Sequence, residues 1–243
     1  MKAPVRGAIP WWLAITLGRS YSKVTNVVAA LADADFERPT RCRGMTVGAL
    51  LVHLSYDAER ALIAFASPTT APPDRDYVTY WHDFPGQGDS ADAGAEQDEA
   101  AGARFNRAVA AAYEHPSKGL VRHWTELSEA AVRAAHAASA RPDGRVATQG
   151  HVLEVPDLLA TLVVEATVHH LDLIVDLTGA PEPDPEGIQL TARTLDGLFG
   201  PQAWDVIGWD LTTYVLKGTG RLALADADLD MLGPYAGKLP LLG

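Results

Sequence analysis

The stretch Val164-Glu165-Ala166-Thr167-Val168-His169-His170-Leu171-Asp172-Leu173 reads as a helix carrying a carboxylate and an imidazole four residues apart in apolar surroundings. On a 3.6-residue period Glu165 and His169 stack one turn apart, which is a metal-ligand spacing, and Asp172 and Asp176 continue the same stripe. Leu158, Leu159, Leu162, Val163, Val168, Leu171 and Ile174 occupy nearly every other direction. A helix that is apolar almost all round is a buried one. Inside a core an unpaired carboxylate is strongly unfavourable, so something must neutralise the stripe. An arginine from a neighbouring helix would do so, as would the Glu-His pair bonding to itself; a metal ion is the third solution.

A second histidine in a similar setting favours the ion. Thr46 is suited to N-capping, and the residues after it read as an amphipathic helix to about Ala66. Its apolar arc is Leu50, Leu54, Ala58, Ala61, Leu62 and Phe65, with His53 at the margin and Asp57 beside it. A marginal residue points across an interhelical seam. If the two helices are neighbours, His53, Glu165 and His169 converge as two imidazoles and one carboxylate.

A chain of 243 residues, 47% hydrophobic, is long enough to bury a sizeable core. Cys42 is the single cysteine, which excludes a disulfide framework and fits a reducing, cytoplasmic compartment. Lying beside Arg41 and Arg43, it is also a candidate reactive thiol. The apolar run at Trp11, Trp12, Leu13, Ile15 and Leu17 is too short for a membrane span and lacks the pattern of a signal peptide. A net charge of −11 disfavours nucleic acid as a partner, since phosphate binding needs clustered Lys and Arg.

Helices are expected from about Pro10 to Ala32, from Thr46 to Ala66, from Ala91 to Tyr113, from Ser117 to Ala138 and from Pro156 onward. Ser67 to Gly88 is Pro-rich and aromatic, in keeping with an ordered loop over a pocket. Arg141-Pro-Asp-Gly signals a turn, and Arg145 to Val155 reads either as a short strand pair or as an irregular connection. The expected fold is all-α, a four-helix bundle with a short C-terminal appendage. Its expected division is a bundle over residues 1–179, a Pro-rich linker over 180–187 and a small subdomain over 188–243 packed back on the bundle. Within the last part, helices are expected at Ile188 to Phe199 and at Ala203 to Leu216. The exposed faces of the Ala-rich helices leave room for a homodimer.

Thr46-Val47 with Leu50-Leu51-Val52-His53-Leu54, the stretch from Val164 to Leu173, and Gly218-Thr219-Gly220-Arg221 together resemble the mycothiol-dependent maleylpyruvate isomerase family, of the DinB-like metalloenzyme superfamily. That resemblance implies a DinB-like bundle, metal ligands at His53, Glu165 and His169, and Arg221 as a catalytic arginine contacting substrate or thiol. It further implies a divalent metal such as Zn2+ and mycothiol as cosubstrate. The family's isomerases carry an arginine after the first metal helix that helps to hold a substrate carboxylate; here that stretch reads Tyr80-Trp81-His82-Asp83. The segment after the linker is also short beside the sterol-carrier-like domain of some members. Both departures leave maleylpyruvate itself unassigned.

Two imidazoles and one carboxylate leave an open position on a divalent ion, the arrangement of a catalytic site. A thiol bound there is deprotonated and becomes a nucleophile at neutral pH. The resemblance implies that such a thiolate adds to a cis-alkene and is eliminated after rotation, or that the adduct is released as product. The expected function is therefore a thiol-dependent isomerase or S-transferase acting on a small electrophile. Its rival is a non-catalytic DinB-like protein that binds metal or a small ligand. Asp172 reads either as the group orienting a ligand imidazole or as half of a salt bridge, and His170 as such an orienting group or as a satisfied core histidine. Arg221 could clamp a carboxylate with its fork or lie on the surface after a flexible turn. His82 and His151 are placed in loops that could border the pocket, whereas His115, His123 and His136 have no such reading.

Overall fold

The computed structural model describes residues 12–83, 93–141, 144–200 and 208–242. The bundle is made by α1 (Trp12–Ala29), α2 (Val47–Phe65), α4 (Gly119–Ser139) and α5 (Val155–Leu173), with α3 (Ala93–Ala111) laid against α2. Leu13, Leu17, Tyr21, Val24 and Val28 of α1 recur at three- and four-residue steps and are all buried. On α4, Leu120, Trp124, Ser128, Ala131, Ala135 and Ala138 do the same. Trp124 joins the two helices: its ring meets Tyr21 edge to face at 5.1 Å, and its indole N–H donates to Thr25 Oγ1 at 2.9 Å.

α2 begins where the sequence places it. Thr46 sits in extended conformation and its side chain accepts from the Ala49 N–H, which satisfies one of the open donors of the first turn. α5 starts with Pro156 in its first turn, where a missing N–H costs nothing. Its surroundings are α1, α2, α4 and the C-terminal helix α6 (Pro185–Phe199), so that apolar side chains on every face find cover. The helix stops at Leu173, and Asp176 therefore leaves the stripe on which the sequence placed it; its backbone carbonyl instead accepts from Arg38. Arg41 closes the C-terminus, donating from its side chain to the Leu171 carbonyl at 2.7 Å and from its backbone N–H to the Asp172 carbonyl at 3.3 Å.

Between α4 and α5 the chain forms a hairpin of β1 (Arg145–Thr148) and β2 (His151–Glu154), paired antiparallel with Arg145 opposite Glu154 and Thr148 opposite His151. Both turn residues have positive φ, 48° at Gln149 and 82° at Gly150, as a two-residue hairpin connection requires. The loop after α2 runs back along this hairpin, with the Thr69 N–H on the Arg145 carbonyl and Asp74 accepting from the Val152 N–H. It ends in a short 3-10 turn, Thr79–Asp83, whose Tyr80 hydroxyl donates to Gln149 Oε1. The expected Arg141-to-Gly144 turn falls partly outside the described residues.

α6 begins at Pro185, inside the segment expected as a linker, with Asp184 as its N-cap accepting from the Glu186 and Gly187 N–H groups. α7 (Leu211–Gly218) is shorter than the sequence suggested, and the first part of the stretch expected to be helical lies outside the described residues. α8 (Asp226–Leu232) follows. No helix among the described residues is long and apolar enough to cross a membrane. Two glycines set how closely these elements approach: a Cβ at Gly187 would come within 2.5 Å of Thr167 Oγ1 on α5, and one at Gly218 within 2.8 Å of Leu195 Cδ1 on α6. Thr167 cannot yield freely, because its hydroxyl donates to the Val163 carbonyl at 2.7 Å. Gly187→Val is expected to lower stability by about 1–3 kcal/mol through overpacking, read from the midpoint of urea unfolding at unchanged slope.

Candidate metal centre

His53 on α2 and His169 on α5 meet across the seam between the helices, rings edge to face with centroids 4.8 Å apart. Together with Glu165 they present three donor atoms that all lie within 4.8 Å of one another. The structure thus brings together the three residues that the sequence singled out as ligands. His169 is held from both sides: Nδ1 donates to Asp172 Oδ2 at 3.0 Å, and Nε2 lies 3.1 Å from Glu165 Oε2. Fixing one ring nitrogen on a carboxylate sets both the tautomer and the direction of the other nitrogen.

Arg221 reaches this group from the turn after α7. Its Nε lies 3.2 Å from Asp172 Oδ1, its Nη2 lies 3.3 Å from Oδ2, and Nη1 donates to the Thr219 carbonyl at 2.8 Å. The carboxylate that its fork meets is therefore the protein's own. Asp172 both orients a candidate ligand and forms a salt bridge between elements. Asp172 is 0% exposed and Arg221 11%, so neither charge has water as a substitute partner. His170, one residue from the ligand, faces away and bonds the Pro181 carbonyl through Nε2 at 2.8 Å, as a satisfied core histidine does.

Asp57 and Arg60 complete the opposite side. Asp57 Oδ1 accepts from Arg60, and its Oδ2 lies 3.4 Å from His53 Nε2 with no hydrogen bond of its own. The Tyr21 hydroxyl is likewise buried without a partner. Burial raises the Tyr21 phenol far above its usual value, and the charges of Asp57 and Glu165 push it further the same way. Tyr80 responds alike to burial and to Glu165. Sequence reasoning missed Tyr21 and Arg60. Arg60 stands seven residues after His53 and so on the same helical face, a signal present in the sequence; nothing there distinguishes Tyr21 from any other core aromatic.

The charges nearly balance. Three carboxyl groups, Glu165, Asp57 and Asp172, face two guanidiniums, Arg60 and Arg221, and burial raises the Asp57 carboxyl above its ordinary value. Burial opposes protonation of His169, yet the hydrogen bonds to Asp172 and Glu165 win and raise its pKa well above the ordinary imidazole value. Glu165 shows the reciprocal effect: burial would raise it, but the hydrogen bond from His169 and the charges of His169 and His53 hold it low. His53, lowered chiefly by burial, stays neutral, the form in which imidazole ligates. Two imidazoles and one carboxylate converging within 4.8 Å are a donor set that fits a divalent cation.

Cys42 lies near enough for its sulfur to form a second group of donors with His169 and Asp172. Asp172 is already engaged by Arg221 and His169, so this group offers fewer open lone pairs than the first. His151 is bound to Asp74 at 3.0 Å and His115 to Asp33 at 3.1 Å, both at the surface, while His82 is exposed. None of the three joins the cluster. Asp172→Ala would leave the Arg221 charge buried and unpaired, with an expected loss of about 3–5 kcal/mol measured by urea unfolding.

No curated protein and no solved structure matches the chain. A family model does, that of the mycothiol maleylpyruvate isomerase N-terminal domain, over residues 17–174. This span runs from within α1 to the end of α5, and so includes His53, Glu165, His169 and Asp172 but not Arg221. With well over half of its length matched, and with the all-α bundle that the resemblance implied, the chain belongs to this mycothiol-related, DinB-like family.

Proposed function

We propose that the protein is a metal-dependent enzyme using a low-molecular-weight thiol of the mycothiol type for cis-trans isomerisation or S-transfer on a small electrophilic substrate. The observation that carries this reading is the gathering of His53, Glu165 and His169 donors within 4.8 Å at the seam of a bundle of this family. These three residues would hold the ion, with zinc the natural choice for two imidazoles and a carboxylate. When bound, it would supply an open position that lowers the pKa of a coordinated thiol and presents it as a thiolate.

The chain's own residues do the rest. Asp172 keeps the proton of His169 on Nδ1 and so leaves Nε2 for ligation. Arg221 acts in this reading through Asp172, anchoring the carboxylate that anchors the imidazole. Its segment, 188–243, is on this reading the part that completes a site whose ligands all lie within 1–179. Tyr80, tied to the hairpin through Gln149, and Arg60, 45% exposed, border the cluster where a substrate would approach. Arg60 supplies positive charge on the chain's first metal helix, although the stretch around Tyr80 lacks the expected arginine.

Elemental analysis of purified wild type is expected to find about one divalent ion per chain, with His53→Ala, Glu165→Gln and His169→Ala each losing most of it. Wild type without stoichiometric metal would sink the site. Turnover of cis-alkene acids and simple electrophiles is expected to require both the metal and mycothiol. A protein that binds metal, yet has neither thiol-dependent turnover nor affinity for mycothiol, would be the non-catalytic binding protein instead.

A further inference from the structure

Each candidate imidazole ligand faces an aspartate that is itself held by an arginine. Asp172 bridges Arg221 on Oδ1 and His169 on Oδ2, at 3.2 and 3.0 Å. Asp57 bridges Arg60 on Oδ1 and faces His53 with Oδ2 at 3.4 Å. Asp172 holds Arg221 on both oxygens and shares Oδ2 with the His169 ring, whereas Asp57 gives Oδ1 to Arg60 and turns only Oδ2 to the His53 ring. The arginine neutralises and fixes the aspartate, and the aspartate selects which ring nitrogen carries the proton.

Asp57 has reason to take this role. It is buried, with 7% of its side chain exposed, and its Oδ2 lacks a hydrogen bond. A buried acceptor left open is unfavourable, and the ring nitrogen that faces it is His53 Nε2. A hydrogen bond from Nε2–H to Oδ2 would satisfy both groups. Spacing along α2 makes the arrangement local: His53, Asp57 and Arg60 follow at four- and three-residue steps on one helical face.

We propose that Asp57, anchored by Arg60, is the positioning residue of His53, keeping the His53 proton on Nε2 and leaving Nδ1 as the nitrogen offered to the ion. The two relays then differ in the ring nitrogen they hold, Nδ1 on His169 and Nε2 on His53, and in exposure. Arg221 is 11% exposed and Arg60 45%, so the relay on α5 is sealed and the one on α2 faces solvent. This assignment rests on the metal reading of His53, Glu165 and His169, and the tests separate the two.

Cobalt(II) and zinc(II) affinities would be measured by chelator competition, with the visible spectrum of the cobalt form as a second readout. Asp57→Asn is expected to weaken metal binding about 10–100-fold and to shift the cobalt bands. Arg60→Met is expected to weaken it in the same direction, and Arg60→Lys, which keeps the charge, to recover part of the loss. Unchanged affinity and spectrum in Asp57→Asn and Arg60→Met, with wild type binding one ion, would overturn the positioning role alone. Wild type binding no ion would overturn the metal reading and this role together. Nitrogen-15 NMR of the zinc-loaded wild type needs no variant to fold: His53 is expected as the Nε2–H tautomer and His169 as Nδ1–H. A His53 proton on Nδ1 would overturn the assignment.

Discussion

Charge placed inside a helix that is buried on every side is the constraint on which this structure turns. α5 is covered by α1, α2, α4 and α6, and His169 and Asp172 are buried in what would otherwise be a continuous apolar core, with Glu165 at its partly exposed edge. Water cannot reach Asp172, so its compensation must be built from protein groups at fixed positions. That need draws a guanidinium from the turn after α7 into the interior, and it keeps a proton on His169 between two carboxylates. Burial of the surrounding leucines and valines, at roughly 1.5–3 kcal/mol for each side chain, is what sustains such an expensive group of charges in place.

Much of this was legible in the sequence, for physical reasons that can be named. The all-round apolar character of the segment before Leu173 marked it as central, and the Thr46 cap fixed where the His53 helix starts. Periodicity could not say which helices touch. The convergence of His53 on Glu165 and His169 was conditional on α2 and α5 being neighbours, which the bundle satisfies. Arg221 was harder, because a Gly-Thr-Gly-Arg turn reads equally as surface, and only the fold of the C-terminal segment brings it 3.2 Å from Asp172. Asp176 went astray for the opposite reason: the heptad-like stripe continues in sequence after the helix has ended at Leu173, where Arg41 occupies the last carbonyls. Tyr21 had no signal at all, since its partners lie on α4 and at the α2–α5 seam rather than near it in the chain.

The site therefore joins two kinds of support. On α2 the groups around His53 are successive turns of one helix, and their geometry follows from helical periodicity alone. On the other side, His169 depends on Asp172 within the same helix, but Asp172 in turn depends on a residue 49 positions later. Local spacing makes the first robust to changes elsewhere; the second exists only when the C-terminal segment is docked. A reading of ligands alone would treat the two histidines as equivalent, whereas their supports differ in origin and in exposure.

That docking runs through two places where a side chain is missing. Gly187 lets α6 settle onto Thr167, two residues before His169, and Gly218 lets α7 settle onto Leu195 of α6, three residues before Arg221. The guanidinium is thus aligned by a short mechanical linkage, helix on helix, with hydrogen in the place of a methyl at both joints. A bulge of one carbon at either joint would be transmitted along the C-terminal segment as a displacement of charge at Asp172. The electrostatics of the centre are in this sense set by steric absences on α6 and α7, well away from any group that titrates or ligates.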